Sequence, residues 1–145
     1  MVTPSSDSRL IYVSSSTGND TTGKYVVASA IPGGTARDGL PSGAIPVATF
    51  AKAGTFLRPG YPDWMLLKSG DTWHEILGAG PGGRSASEPM IVSSYGKGPR
   101  PILQPDPVSG SGIISHNGAT VTSNLFYMGL EFYDARKDPS SPKFV

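Results

Sequence analysis

A succession of short apolar runs, each closed by a turn, most limits what this chain can fold into. The runs after Gly60 are four to ten residues long and rich in β-branched and aromatic side chains. Glycine, proline, serine and asparagine dominate the segments between them, as in turns and loops. Such runs predict β-strands rather than helices. The predicted strands are residues 64–68, 72–77, 89–95, 101–104, 112–115 and 124–133.

The spacing of these runs favours stacked turns of chain over a meander of hairpins. The apolar centres at Leu67, Val92, Ile114 and Leu130 are separated by 25, 22 and 16 residues. Periods of roughly 20–50 residues are typical of solenoids, whereas hairpin meanders need steps of about 8–12 residues. Three unequal steps indicate a solenoid without establishing a repeat.

The first 60 residues combine strand, loop and helix signals. Residues 9–14 form an apolar, β-branched run that predicts a first strand, and residues 25–31 predict a second. Apolar residues then recur every three to five positions, with a proline at the start and Pro-Gly at the end. This pattern predicts a helix over residues 46–57.

Composition narrows the classes of partner. The formal net charge of the 145 residues is +1, which gives no basic field for binding nucleic acid. The absence of cysteine excludes disulfides and thiolate chemistry. No run approaches the roughly 18–20 apolar residues that a membrane span needs, so we expect none. The first ten residues lack the pattern of a secretory signal.

Five segments, in order, resemble motifs of right-handed parallel β-helix proteins of the pectate-lyase-like superfamily. LIYVSSSTGND resembles the opening strand and loop, ATFAKA the capping helix, and DWMLLKSGDTWHE the first coil. PMIVSSYGKGPRPIL is similar to a second coil, and NLFYMGLEF to a later one. The chain departs from the pattern in a longer link over residues 23–44, in the inserted Tyr61-Pro62 and in Asp71.

The resemblance implies an all-β fold, the N-terminal portion of a right-handed parallel β-helix with a short capping α-helix. It implies one domain over residues 1–145, with the strand, loop and cap helix in 1–60 and the first coils in 61–145. The apolar Phe144-Val145 at the end suggests that the helix continues beyond this chain. An open C-terminal end would expose strand edges, so we expect self-association there. Alternation along the last strand predicts that Leu130 and Phe132 point inward.

The candidate binding residues lie on that last strand and the turn after it. In polysaccharide lyases of the resembled family, carboxylates on outward strand faces hold calcium, and an Arg or Lys abstracts the proton beside the uronate carboxylate. The resemblance therefore implies Ca²⁺ as a cofactor, although no metal ligand set follows from the residues themselves. No catalytic residue can be assigned. The candidate substrate-binding residues are Glu131, Tyr133, Asp134, Arg136 and Lys137.

Other chemistry-bearing residues have ordinary structural explanations. His74-Glu75 is a candidate acid/base pair, but a solvated surface pair is the simpler prediction, and His116 beside Asn117-Gly118 is expected in a turn. The aromatic residues could stack on sugar rings, although several must fill the core. These aromatic residues are Tyr61, Trp64, Trp73, Tyr95 and Tyr133.

Two functions follow as expectations. The first is the N-terminal segment of a polysaccharide lyase or glycoside hydrolase that acts on acidic glycans, inactive alone because its catalytic residues lie outside this chain. The alternative is a non-catalytic glycan-binding or structural segment of a cell-surface or phage-tail-like protein. The expected partner is a polysaccharide and the expected location is secreted or cell-surface, with a virion as the alternative. Both functions rest on analogy of fold.

Overall fold

The computed structural model describes residues 2–31, 36–105, 114–115 and 121–145. His116 and the predicted turn at 117–118 lie outside the described residues. Ten strands and one α-helix are described. The strands are β1 (Arg9–Val13), β2 (Val26–Val27), β3 (Trp64–Lys68), β4 (Thr72–Trp73), β5 (Leu77–Gly78), β6 (Met90–Tyr95), β7 (Ile102–Leu103), β8 (Ile114–Ser115), β9 (Leu125–Tyr127) and β10 (Glu131–Phe132), and the helix is α1 (Phe50–Gly54).

A five-stranded mixed sheet in the order β2-β1-β3-β6-β9 forms the centre of the fold. Strands β1, β3, β6 and β9 are parallel neighbours, with Leu10 opposite Trp64 and Met65 opposite Val92. Strand β2 pairs with β1 in the antiparallel direction. The first strand and the later strands therefore share one sheet.

Two smaller sheets accompany the central one. Strands β4, β7 and β10 form a three-stranded parallel sheet with β7 in the middle. Strands β5 and β8 form a parallel pair. Parallel pairing requires long crossover connections, and here those connections are mostly irregular chain.

The prediction of a right-handed parallel β-helix is wrong. No solenoid is detected in the part of the chain that the structure describes, whereas a β-helix would consist mostly of strands. Six of the ten described strands contain only two residues, and the main sheet includes the antiparallel β2. Because 19 glycines and 14 prolines interrupt the apolar runs, turns and loops replace long strand ladders.

The central strands bury both of their faces. Met65 and Leu67 of β3 face a core that also contains Phe50 and Trp73. Trp64 and Leu66, the alternate residues of β3, face a second core on the other side of the sheet. Strands buried on both faces have continuous apolar sequences, which explains why β1 and β3 show little polar alternation.

Helix α1 lies inside the predicted range of 46–57 but is much shorter. Val47 forms a parallel bridge with Val13, and its N–H donates to the Tyr12 carbonyl over 2.9 Å. This pairing holds Val47 in extended backbone, so the helix begins only after Thr49, whose hydroxyl accepts from the Lys52 N–H. Sheet contacts therefore override the helical periodicity of the sequence.

The inward and outward pattern predicted for the last strand holds only in part. Leu130 is buried at 8% exposure, but Phe132 is 44% exposed. Strand β10 is the outer strand of its sheet. The prediction that Phe132 points into a core is therefore wrong, because no strand beyond β10 covers its side chain among the described residues.

No helix among the described residues has the length and apolar character needed to cross a bilayer.

Candidate functional site

A cleft of about 360 Å³ opens between α1 and residues 75–81. This second segment contains β5 and the chain on either side of it. Pockets for small molecules usually begin near this size, at about 300 Å³. Most of the exposed wall is apolar, and one acidic side chain, Glu75, lies in it. The lining residues are Phe50, Ala51, Gly54, Leu57, Met65, Glu75, Ile76, Leu77, Gly78, Ala79, Gly80 and Pro81.

Two glycines of the cleft lining border open space. A Cβ atom at Gly54 or at Gly78 would meet no other atom within 4 Å. A Cβ at Gly80 would instead approach the Met90 sulfur to 2.7 Å, so Gly80 allows close packing of the cleft wall on β6. Small residues therefore lie at the end of α1 and along the opposite wall of the cleft.

Glu75 combines a hydrogen bond to the protein with access to the cleft. Its Oε1 accepts from the backbone N–H of Phe50, the first residue of α1, over 3.0 Å. Burial raises the pKa of Glu75, the amides of Phe50 and Ala51 partly offset this effect, and the nearby negative charge of Asp20 adds to it. Part of the Glu75 population is therefore protonated at pH values where an exposed glutamate is ionised.

The neighbouring carboxylate, Asp20, accepts hydrogen bonds from the protein at both of its oxygens. Its Oδ1 accepts from the amides of Ala48 and Thr49, and its Oδ2 accepts from the Thr49 hydroxyl over 2.7 Å. Burial disfavours its ionised form, but these hydrogen bonds outweigh burial, and the pKa of Asp20 is lowered. Asp20 does not line the cleft.

The cleft has the chemistry of a binding site with a single acid group. Glycoside hydrolysis normally uses two carboxyl groups that flank the scissile bond. Among the described residues that line this cleft, only Glu75 is titratable. The arrangement can hydrogen-bond a polar ligand and can donate or accept one proton.

The structure separates His74 from Glu75. His74 is exposed, and its Nδ1 lies 3.0 Å from the Gln104 carbonyl oxygen. Glu75 is half-buried and lines the cleft, whereas His74 does not. Sequence reasoning therefore missed Glu75 by treating both residues as a solvated pair.

The candidate residues after β9 form a turn in which several polar side chains hydrogen-bond to one another. Arg136 donates from Nε and Nη2 to the two oxygens of Asp134, over 3.0 and 2.9 Å. The Tyr133 hydroxyl donates to Asp138 over 2.7 Å. These contacts lower the pKa of Asp134 and raise that of Tyr133. Glu131 is exposed on β10, and Lys137 ends the short 3₁₀ turn.

The described residues offer no ready calcium site. No group of three or more His, Asp or Glu side chains lies together in that part of the chain. Ca²⁺ takes six to eight oxygen ligands, several of them usually carboxylates. The Asp134 carboxylate is already paired with Arg136. The calcium expected from the resemblance therefore does not fit the residues of this turn.

Most of the aromatic residues proposed for stacking on sugars belong to the core. Trp64, Trp73 and Tyr95 are at most 5% exposed. Tyr61 is 39% exposed, but the Arg58 guanidinium covers its ring at 3.9 Å from the centroid. An open aromatic platform is thus absent from these four positions.

Comparisons with known proteins add no relative to this picture. No family model matches the chain, and neither a curated protein nor a solved structure matches it significantly.

Proposed function

We propose that this chain binds carbohydrate without catalysing a reaction on it, and that the Glu75 cleft takes one sugar ring. The observation that supports this proposal most is the combination of a cleft of about 360 Å³ with a mostly apolar wall and one half-buried carboxyl group. Apolar pockets with a few placed polar groups are the usual form of small-ligand sites.

The two sides of a sugar ring match these two kinds of surface. The C–H face of a pyranose is apolar and would pack against the half-buried side chains Leu57 and Ile76. Its hydroxyls would hydrogen-bond Glu75, whose Oε1 already accepts from Phe50 N–H. Glu75 is half-buried and lines the cleft, so its carboxyl group is the polar partner that we assign to the sugar.

The charge in the cleft favours a neutral sugar. An ionised uronate would bring a second carboxylate toward Glu75, and like charges at close range repel strongly in a partly buried site. The acidic glycan expected from the resemblance is therefore not the ligand that we propose for this cleft. A neutral hexose or a neutral unit of a longer glycan is the preferred class.

The wider role proposed for the chain is a glycan-binding segment of a secreted, cell-surface or virion-associated protein. Lyase or hydrolase activity stays a prediction that rests on motif resemblance alone. Glu131, Tyr133, Asp134, Arg136 and Lys137 stay predicted glycan contacts, in competition with the cleft. Self-association also stays a prediction, and Phe126 and Phe132 are exposed on the outer strands β9 and β10.

A titration of the ¹⁵N-labelled chain with neutral and acidic monosaccharides and short oligosaccharides tests the proposal. We expect saturable shifts of the amides of Ala51, Gly54 and Gly78 with at least one neutral sugar. Glu75→Gln keeps the acceptor for Phe50 N–H and removes the carboxylate, and should weaken binding about tenfold.

Glu131→Gln is the matched control, because it makes the same chemical change on the exposed β10. It should leave the affinity unchanged. A loss of binding in Glu131→Gln but not in Glu75→Gln would assign the sugar to the C-terminal turn and overturn the cleft. Absence of any saturable shift with the whole panel would overturn carbohydrate binding itself.

A further inference from the structure

The loop after β1 contains an acceptor motif for asparagine-linked glycosylation. Asn19, Asp20 and Thr21 fit the pattern Asn-X-Ser/Thr, in which X is any residue except proline. The other two asparagines of the chain do not fit this pattern, because Ala119 and Phe126 stand where serine or threonine is required. The sequence therefore offers one acceptor position, and the fold decides whether that position can carry a glycan.

Asn19 is exposed, and its side chain bonds to the fold through its oxygen. Oδ1 accepts from the backbone N–H groups of Thr21 and Thr22 over 2.8 and 3.1 Å, which is a common way for asparagine to close a turn. Nδ2 makes no hydrogen bond to any other described residue. Because a glycan joined to Nδ2 leaves Oδ1 in place, the turn can keep both of its hydrogen bonds.

The backbone of Asn19 is anchored on both sides. Its N–H donates to the Pro46 carbonyl oxygen over 2.9 Å, and its own carbonyl oxygen accepts from the Gly23 N–H over 2.7 Å. The adjacent Asp20 carboxylate is bonded to the Thr49 hydroxyl rather than to Asn19. A substituent on the exposed side chain would therefore extend from a fixed turn into solvent, without displacing a packed side chain.

We propose that Asn19 is glycosylated when the chain passes through a secretory pathway. This inference rests on the secreted or cell-surface location that we propose for the chain, but not on the sugar cleft, which Asn19 does not line. The donor is an oligosaccharide joined through its C1 to a lipid diphosphate. Transfer forms a bond between Nδ2 and C1 and breaks the C1–O bond. The lipid diphosphate leaves with that electron pair, and Nδ2 gives up one proton.

Secretion of the full chain from cultured eukaryotic cells, behind a leader that is cleaved off, tests the site. We expect a heavier protein whose extra mass is released by peptide N-glycosidase, an enzyme that leaves aspartate at position 19. Peptide mapping before and after release locates the change. A secreted chain of unmodified mass would overturn the proposal. The sugar titration of the cleft uses the unglycosylated chain, so the two proposals can fail separately.

Two substitutions of Thr21 form a matched pair. Neither should disturb folding, because Thr21 is exposed and its hydroxyl makes no hydrogen bond to another described residue. Thr21→Ala should lose the glycan and Thr21→Ser should keep it, since serine also completes the motif. A glycan that persists in Thr21→Ala would overturn the assignment to Asn19. The glycosylated chain should also unfold at no lower temperature than Thr21→Ala, and a lower temperature would show that the folded loop does not accommodate a glycan.

Discussion

The Ser14 hydroxyl donates a 2.7 Å hydrogen bond to Oδ2 of Asp71, a residue 57 positions later in the chain. Ser16 adds two more, from its amide and from its hydroxyl. The Asp71 carboxylate thereby fastens the loop after β1 to the turn after β3. In the sequence, Asp71 is only a departure from a resembled motif, but in the structure it joins two distant segments.

Replacing Asp71 by Asn should destabilise the fold by about 1–3 kcal/mol at neutral pH, because donors lose their charged acceptor. Burial disfavours ionised Asp71, but the hydrogen bonds from Ser14 and Ser16 outweigh it and lower the pKa. A lowered folded-state pKa contributes stability above the unfolded-state value of 3.8, and that stability is lost as pH falls through the folded-state pKa. Urea unfolding at pH 7 and pH 3 should show a smaller difference between the two proteins at pH 3. An equal difference at both pH values would contradict this role.

Asp63→Asn should be among the most damaging single substitutions. Asp63 is fully buried, and the Arg58 guanidinium donates to both of its carboxylate oxygens, with the shortest contact at 2.6 Å. Breaking a buried pair from one side costs about 3–5 kcal/mol. The control Glu88→Gln breaks a half-exposed pair with Arg84 and should cost about 0–1 kcal/mol. Chemical denaturation measures the loss of unfolding free energy in both variants. Similar losses would contradict the prediction that the buried ion pair stabilises the fold more than the half-exposed one.

The raised pKa of Glu75 predicts a specific pH dependence of stability. Because the folded state holds this proton more tightly, the contribution of Glu75 is fully present below its unfolded-state pKa of 4.5 and is lost as pH rises through the folded-state value. Glu75→Gln removes the titration. Its melting temperature relative to the unmodified chain should therefore increase from pH 4 to pH 7, as followed by circular dichroism. A constant difference across this range would mean that Glu75 titrates as an exposed carboxyl.

Gly54→Ala should stabilise the protein by about 0.5–1 kcal/mol, because alanine favours the helix and no atom obstructs its Cβ. Gly70→Ala is the matched control. Gly70 has a φ of 86°, which alanine tolerates poorly, so this variant should be less stable than the unmodified chain. Thermal unfolding of the two variants should give shifts of opposite sign. Destabilisation by Gly54→Ala would show that the end of α1 is not open as described.

The sequence predicted the long buried strands well and the architecture poorly. Strands β1, β3 and β6 are continuous apolar runs, and they lie where the runs predict. The spacing of apolar centres suggested stacked turns, but spacing does not reveal that many strands are only two residues long. The length of α1 also depended on a distant contact, the pairing of Val47 with Val13.

The site was less predictable than the strands. Glu75 becomes notable only because Phe50, 25 residues earlier, directs its amide at the carboxylate. A useful local signal existed in the glycines at positions 54 and 78, which leave space on both sides of the cleft.

The position of a bound sugar tests the central claim most directly. Intermolecular NOEs can be recorded between a saturating neutral sugar and the methyl groups of the chain. We predict NOEs from the methyls of Ala51, Leu57 and Ile76, which line the Glu75 cleft and are at least partly exposed, and their loss in Glu75→Gln. NOEs confined to residues 131–138, or none under saturating conditions, would contradict the account.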